Sequence, residues 1–521
     1  MKPLRTFMIL AASCCLVGGV MPQSATAADK SLKIEQEWKG HRKDVDNDAY
    51  LKNLDGKDEA VITNSKAWTK LWKAWSGDKP VPKVDFEKYM LLVVAAQAPP
   101  MAFTPLNHHL DLVWLVEAYQ RTRKDGAPGV DGQTAPDYSL SLLDNLTTLL
   151  NRAKSGTYRA PPVRRVHIPK DTGRETRPLG IPTLEDKILQ RAVVMALEPI
   201  YEQDFRDCSY GFRPGRTAHQ ALRALWKQTM DLGGCWLVEV DIQKFFDTLD
   251  RGHLRHLLRQ RVRDGVLLRL IDKWLRAGVL EDGDLTYPEA GTPQGGVISP
   301  LLANVYLHYV LDVWFEQTVK PRLKGRAFLV RYADDFVMGF ACEEDARRVL
   351  DVLPKRFGKY GLTIHPDKTR LLPFVRPRNR PAASGAPEVP PGSFDFLGFT
   401  HYWSRSKQGS WVVKRKTAGS RFHRAIKRMA EWCRLNRHLT IGEQYRVLSQ
   451  KLRGHFAYYG GVIGNIRCLH RFRYEVMRLW RKWLSRRGRR GGWPWERLNR
   501  LLRKLVLPWP RAWVLPCVVK L

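Results

Sequence analysis

Cysteine is scarce and scattered in this chain of 521 residues. The eight cysteines stand at 14, 15, 208, 235, 342, 433, 468 and 517, with no C-x-x-C pair and no matching histidine spacing. This excludes zinc fingers, a nuclease built on a Cys-bound zinc and a disulfide scaffold, and reduced thiols suit an intracellular protein. Acidic residues are also few: 87 Lys and Arg face 52 Asp and Glu, a net charge of +35. So basic a surface seeks a polyanion. An anionic membrane would also attract it. However, the basic residues of the C-terminal half are interleaved with Trp, Tyr and Phe, a mixture that grips phosphates and stacks on bases, so nucleic acid is the favoured partner. The apolar run Phe7 to Val20 is too short to cross a bilayer.

That run has another reading. Lys2 and Arg5 precede it and the small residues of SATAADK come after it, the three parts of a secretory signal, so residues 1–28 read as signal-like. Residues 29–100, with a Trp-bearing patch and the strand-like apolar run LLVVAAQAP, read as a fragment of an exported domain unrelated to the rest of the chain. Composition changes near Met101. Residues 1–100 are therefore expected to be dispensable.

The acids that remain are concentrated in one informative place. In RYADDFVMGF, Asp334 and Asp335 lie between the strand-like runs Phe328 to Tyr332 and Phe336 to Phe340, which predicts a hairpin with the acids at its tip. Two adjacent carboxylates withdrawn from water repel one another unless a cation lies between them. A plain polar turn is the other reading, since Asp favours turns. A third carboxylate upstream bears on the choice: CWLVEVDIQKFFDT is an apolar strand ending in Asp241 and followed by Phe245 and Phe246. Two strands delivering acids to one place can hold Mg²⁺, a hard cation that takes carboxylate oxygens and bridges phosphates.

Elsewhere, periodicity predicts helices over Leu106 to Thr122, Leu184 to Phe205, Pro214 to Met230, Gly252 to Ala277 and from Pro300 to about Thr318. TYRAPPVRRVHIPKDTGRETRPLGIP predicts two basic strands joined by a turn that presents Lys170, Arg174 and Arg177 together, a fitting cradle for a triphosphate. The glycine loop AGTPQGGVISP carries Gln294. A Pro-rich connector over 376–393 is followed by the strand pair FDFLGFTHYW and GSWVVKR, then by basic helices over Gly419 to Asn436, Ile441 to Tyr459 and Arg467 to Arg487. Residues 488–521 form a basic, Trp-rich end.

KDGAPGVDG, IPK…RPLGIP, SYGFRPGR, VEVDIQKFFDT, GTPQGGVISPLLANVYL, YADD, GLTIHPDKT and FDFLGF occur in this order. They resemble the successive blocks of a group II intron reverse transcriptase, over roughly residues 106 to 515. The resemblance implies an α+β right-hand polymerase, with fingers and palm over 101–375, then the end of the palm and an α-helical thumb or maturase domain over 394–487. It implies Asp241, Asp334 and Asp335 as catalytic residues, with Ile242 joining them at a site for two Mg²⁺ ions. Lys170, Arg177, Phe246, Gln294 and Lys368 would form the dNTP site, Phe246 as the gate that crowds a ribose 2′-hydroxyl. YYGGVIGNIRCLHRFRYEVMRLW resembles the maturase segment. Arg415, Lys416, Arg421, Arg424, Lys427, Arg453, Arg467, Arg471 and Arg473 would bind intron RNA, and half of Trp480, Trp483, Trp493 and Trp495 would be packing.

The function implied is an RNA-directed DNA polymerase that binds its intron RNA, assists splicing and copies the intron at a DNA target. It would work in the cytoplasm as a ribonucleoprotein, with no membrane partner and no DNA-cutting domain. A retron or diversity-generating reverse transcriptase is an alternative enzyme, and an RNA-binding splicing cofactor without polymerase activity is an alternative of another class.

Overall fold

The computed structural model describes residues 83–97, 101–169, 176–281, 283–287, 291, 295–377, 392–487 and 492–511. The signal-like segment, Lys170, Arg174, Gln294 and most of the Pro-rich connector lie outside the described residues.

The chain is a mixed α and β structure centred on a four-stranded antiparallel sheet. Its strands run in the order Arg370–Val375, Gly234–Val240, Asp335–Phe340, Ala327–Tyr332. Because side chains alternate across a strand, each strand supplies two cores. Val238, Val240, Leu329, Phe336, Met338 and Phe340 enter the larger core, where Tyr306, Phe315 and Phe357 meet them. Cys235, Leu237, Phe328, Val330, Val337 and Phe374 enter the other, against Leu222, Leu225 and Phe399.

A second sheet lies N-terminal to it in sequence, with Thr176–Ile181, Val163–Pro169, Val279–Glu281 and Asp284–Thr286 as neighbours in that order. The helix Leu184–Asp204, next along the chain from Ile181, is buried on most of its surface, including Ile188, Leu189, Val193, Leu197 and Ile200. An almost continuous apolar stretch is what such a central helix requires. C-terminally, a third sheet forms from Ser393–Phe396, Phe399–Arg405 and Trp411–Thr417. Its first two members are separate strands where the pattern of FDFLGFTHYW predicts one. Leu397 and Gly398, with φ of 50° and 80°, reverse the chain between them. Helices Gly419–Leu435, Ile441–Tyr459 and Ile466–Leu484 then pack around Leu448, Leu452, Phe472, Val476 and Trp480. Thr440 and Glu443 make a capping box at the start of the middle helix.

Three further expectations require correction. The predicted helix Gly252 to Ala277 is two helices, Arg251–Arg259 and Gly265–Leu275. Buried Asp264 divides them. One of its carboxylate oxygens caps the second helix through the amides of Val266 and Leu267, and the other accepts from the amides of Leu106 and Asn107 at 2.7 and 2.8 Å. The helix expected from Leu106 starts at Leu112, where the Asp111 side chain caps it through the amide of Trp114.

The third correction concerns the N-terminal fragment. LLVVAAQ is the end of a helix, Lys83–Gln97, and that helix belongs to the larger core. Val84, Glu87, Leu91 and Ala95 are buried, and their spacing of three, four and four is a helical stripe that strand-like composition obscured. Polar contacts fix the packing: Glu87 pairs with His109 at 3.0 Å, Asp85 with Arg121 at 3.2 Å, and the Ala95 carbonyl accepts from Arg261 at 3.3 Å. A boundary at residue 100 would cut through this core.

Candidate active site

The carboxylates meet at one end of the central sheet. Val240 is in register with Phe336, so the next step of the ladder sets Asp241 beside Asp335. Tyr332 pairs with Asp335 across the hairpin, leaving Ala333 and Asp334 as its turn. Ala333 has φ of 58°, a left-handed conformation that such turns ordinarily give to Gly, Asn or Asp and that costs an alanine roughly 1–2 kcal/mol. The apolar runs on either side predict buried acids, and here the structure differs. Asp335 is exposed and Asp334 half-buried, because the sheet ends there, so the metal reading stands on position and oxygen chemistry rather than on desolvation.

Lys368 donates to Asp241 Oδ2 at 3.0 Å, with both side chains partly in water. Such a pair contributes at most about 1 kcal/mol and exchanges readily. Ile242 is buried and pairs with Ile364 in a short ladder beside Asp241, and His365 donates its amide to the Asp241 carbonyl at 2.8 Å. Among the described residues no three acidic, histidine or cysteine side chains converge closely enough to form a metal cluster. The donor set nonetheless suits a hard divalent cation.

Phe246 stands in the short helix Phe245–Thr248, half-buried, its ring 5.2 Å from that of buried Phe245. Gly291 of the glycine loop lies directly on this helix. A Cβ at Gly291, whose φ is 76°, would meet the carbonyl oxygens of Phe246 and Asp247 at 2.5 Å. At the loop's other end a Cβ on Gly295 would meet the Gly180 oxygen at 2.3 Å, and Gln190 Oε1 accepts from the Ile298 amide at 3.3 Å. Gly291 thus lies against the Asp241 segment, and Gly295 against the basic hairpin. In that hairpin Arg177 pairs with Ile168 through the backbone; its side chain is outside the described set.

Residues 168–401 match the family described as reverse transcriptase (RNA-dependent DNA polymerase), a span that contains all three carboxylates. Protein YkfC of Escherichia coli strain K12 is 37% identical over 341 residues, covering 58% of this chain and 83% of that protein. The group II intron-encoded protein LtrA of Lactococcus lactis is 43% identical over 259 residues, 48% of this chain. The chain belongs to the group II intron reverse transcriptases. Its match spans less than half of LtrA, 42%. The mitochondrial nuclear intron maturase 2 of Arabidopsis thaliana is 31% identical over 232 residues, 37% of this chain and 30% of that one.

The basic residues expected to hold RNA in this reverse transcriptase separate into two groups. Arg421 and Arg424, with Arg428, Lys451, His455 and Tyr459, line an open cleft of about 340 Å³ between C-terminal helices. Lys427, Arg453 and Arg467 are exposed, Lys416 lies 5.1 Å over the Tyr402 ring and Arg471 5.5 Å over Phe422. Arg415 and Arg473 are corrections. Arg415 is 7% exposed and donates to the Leu222 carbonyl at 3.2 Å, tying the third sheet to the helix Ala218–Asp231. Arg473 is 8% exposed, donates to the Pro508 carbonyl at 3.1 Å and stacks on Trp509 at 3.8 Å. Both face inward, so they bind the protein itself. Among the tryptophans, Trp480 is fully buried and bonded to Gln444, whereas Trp483, Trp493 and Trp495 are half-buried beneath Arg486, Arg497 and Arg481.

Sequence reasoning missed a buried arginine in the YADD strand itself. Arg331 occupies an inward position of Ala327–Tyr332 and pairs with Asp312, both with no exposure. The signal was available: an arginine at a core-facing position of an alternating strand requires a buried acid partner.

Proposed function

We propose that this enzyme copies its parent intron RNA into DNA at a DNA target, and that it binds the same RNA to assist splicing. The register that brings Asp241 beside Asp335, with Asp334 in the intervening turn, supports this reading more than any other observation. On it, the central sheet is the palm, the second sheet and the helix Leu184–Asp204 belong to the fingers, and the C-terminal helices are the thumb or maturase domain. Asp241, Asp334 and Asp335, with Ile242 contributing at the same place, would hold two Mg²⁺ ions. Bound there, the ions would lower the pKa of the primer 3′-hydroxyl and neutralise the departing pyrophosphate. Lys368 holds Asp241 until the site fills and then faces the triphosphate, with Lys170, Arg177 and Gln294 completing the nucleotide's surroundings. Phe246, its ring packed against buried Phe245, would crowd the 2′-hydroxyl of the sugar.

Among the described residues no helix is long and apolar enough to cross a membrane. The proposed working form is a ribonucleoprotein that stays with its RNA and chromosomal target. The test is dT incorporation on poly(rA)/oligo(dT) with Mg²⁺, run beside a splicing assay of the flanking intron. Activity in both is expected. Splicing without incorporation would identify a splicing cofactor, and incorporation without intron binding would point to another bacterial reverse transcriptase.

A further inference from the structure

The carboxylate turn is built on a buried polar network that takes no direct part in the reaction. Arg331 lies on the strand that runs into the turn. Its Nε and Nη2 donate to the two oxygens of Asp312 at 2.8 and 2.6 Å, and neither side chain has any exposure. Its Nη1 donates to Asn304 Oδ1 at 2.9 Å and to the carbonyl of Ala333 at 3.0 Å. That last bond matters most, because the Ala333 carbonyl belongs to the peptide unit that leads into Asp334.

The other contacts close around the same point. Asn304 Nδ2 donates to the Gly211 carbonyl at 2.7 Å. Gly211 in turn lies so close to the turn that a Cβ there would stand 2.3 Å from the Ala333 amide nitrogen. The Arg331 backbone is held on its free edge by Cys208 and Tyr210, through bonds of 2.8 and 2.9 Å. Asp312 ends a π-helical turn, His308–Asp312. Such widened turns are frequent at functional sites, since the extra residue changes the face from which a side chain emerges.

Stability alone does not explain this arrangement. Withdrawing two charges from water costs more than an apolar pair of the same volume would, and apolar replacements of buried ion pairs are often neutral or stabilising. What apolar side chains cannot do is hold a carbonyl in one orientation. The turn needs that hold, since Ala333 sits at a φ of 58° that its side chain disfavours.

We propose that Arg331, locked by Asp312 and Asn304, is the positioning residue of the metal-binding turn: it fixes the Ala333 peptide and through it the direction in which Asp334 meets the divalent ions. The proposal rests on Asp334 and Asp335 being metal ligands. Partners that orient a metal ligand without touching the ion commonly govern affinity and rate by about ten- to a hundred-fold when removed.

The test uses the full chain bound to RNA template and DNA primer. Mn²⁺ binding is read by electron paramagnetic resonance, Mg²⁺ half-saturation from polymerisation, and integrity from thermal unfolding and template affinity. The first variant is the apolar pair Arg331→Met with Asp312→Leu. The second is Arg331→Lys, which keeps the charge beside Asp312 but replaces the planar fork with a point donor that cannot serve Asp312 and the Ala333 carbonyl together. Both variants should retain unfolding temperature and template affinity, while Mn²⁺ affinity weakens and the Mg²⁺ requirement rises by about tenfold or more. If the apolar pair does not fold, Arg331→Lys decides alone. A folded variant with wild-type Mn²⁺ affinity and Mg²⁺ requirement overturns the proposal. Asp334→Ala separates the two levels: if it binds Mn²⁺ as the wild type does, the metal-site reading itself fails and the positioning role with it. If it loses Mn²⁺ while the Arg331 variants keep it, only the positioning role fails.

Discussion

Arginine does opposite work in two parts of this molecule. In the central sheet Arg331 is wholly buried and bonds Asp312, Asn304 and a backbone carbonyl. In the C-terminal helices Arg421, Arg424 and Arg428 line an open cleft with Lys451, and no acidic side chain joins its lining. A buried charge survives only with its partners supplied, and that requirement makes it rigid. A concentration of cations around an open cleft turns a positive field toward an incoming polyanion. The first arrangement places atoms and the second captures a long, variable ligand. Arg415 and Arg473 show that the distinction does not follow domain lines, since both lie among the C-terminal basic residues and are spent on internal carbonyls.

The comparison is broken most severely at the carboxylates. Asp241→Ala, Asp334→Ala or Asp335→Ala should reduce cDNA synthesis by several orders of magnitude and leave intron RNA affinity and splicing intact, as read by primer extension and filter binding. Full-length cDNA from any of the three would remove that acid from the site. The next largest effect concerns the extent of the central core. A chain beginning at Met101 loses the buried Val84 and Leu91, so its unfolding free energy should fall by about 3–6 kcal/mol, whereas a chain beginning at Lys83 should match the full protein in denaturant titrations. Equal stability of the two would return residues 83–97 to the dispensable fragment.

In the cleft, the triple change Arg424→Ala, Arg428→Ala and Lys451→Ala should lower intron RNA affinity about tenfold or more and reduce the slope of log affinity against log salt by roughly two to three. The polymerisation rate at saturating template should not move, and a change in that rate with no change in slope would place these cations with the reaction. Phe246→Ala should raise ribonucleotide incorporation by opening the space beside the sugar. An unchanged ratio of dNTP to NTP use would give the gate to another side chain.

The smallest effect expected is a pH dependence of stability. Burial pushes His308 and His401 from 6.5 to about 3, so both are neutral in the fold. A group whose pKa is depressed by folding binds its proton more readily once unfolded, so these two contribute stability that is complete above about pH 6.5 and declines as pH falls toward 3. Unfolding temperature should therefore drop between pH 7 and 5, and less steeply in His401→Leu. An identical slope in that variant would assign the acid lability to other groups.

Strands and helices with one clear period were legible from sequence alone: the hairpin around Asp334, the helix from Leu184 and the three C-terminal helices stand within a few residues of where their patterns put them. Local chemistry also marked the three acids, because a carboxylate at the end of an apolar strand is unusual wherever the chain then goes. Asp264 shows what such patterns omit. One of its oxygens caps a helix locally, while the other accepts from the amide of residue 106, which lies 158 positions away, a contact that no local pattern announces. Likewise the helix Lys83–Gln97 could be assigned only when the surface of Leu184–Asp204 was there to receive its stripe.

By itself the sequence determined the chemistry available: which residues are acids, which segments alternate, and how strong an excess of positive charge the surface carries. Tertiary structure decided which charges would be used for which purpose. Arg331, Arg415 and Arg424 are the same residue type in basic or apolar surroundings. Their work differs because folding removes the first two from water, where each meets an acceptor inside the protein, while it leaves the third half-buried in the lining of an open cleft that a polyanion can reach.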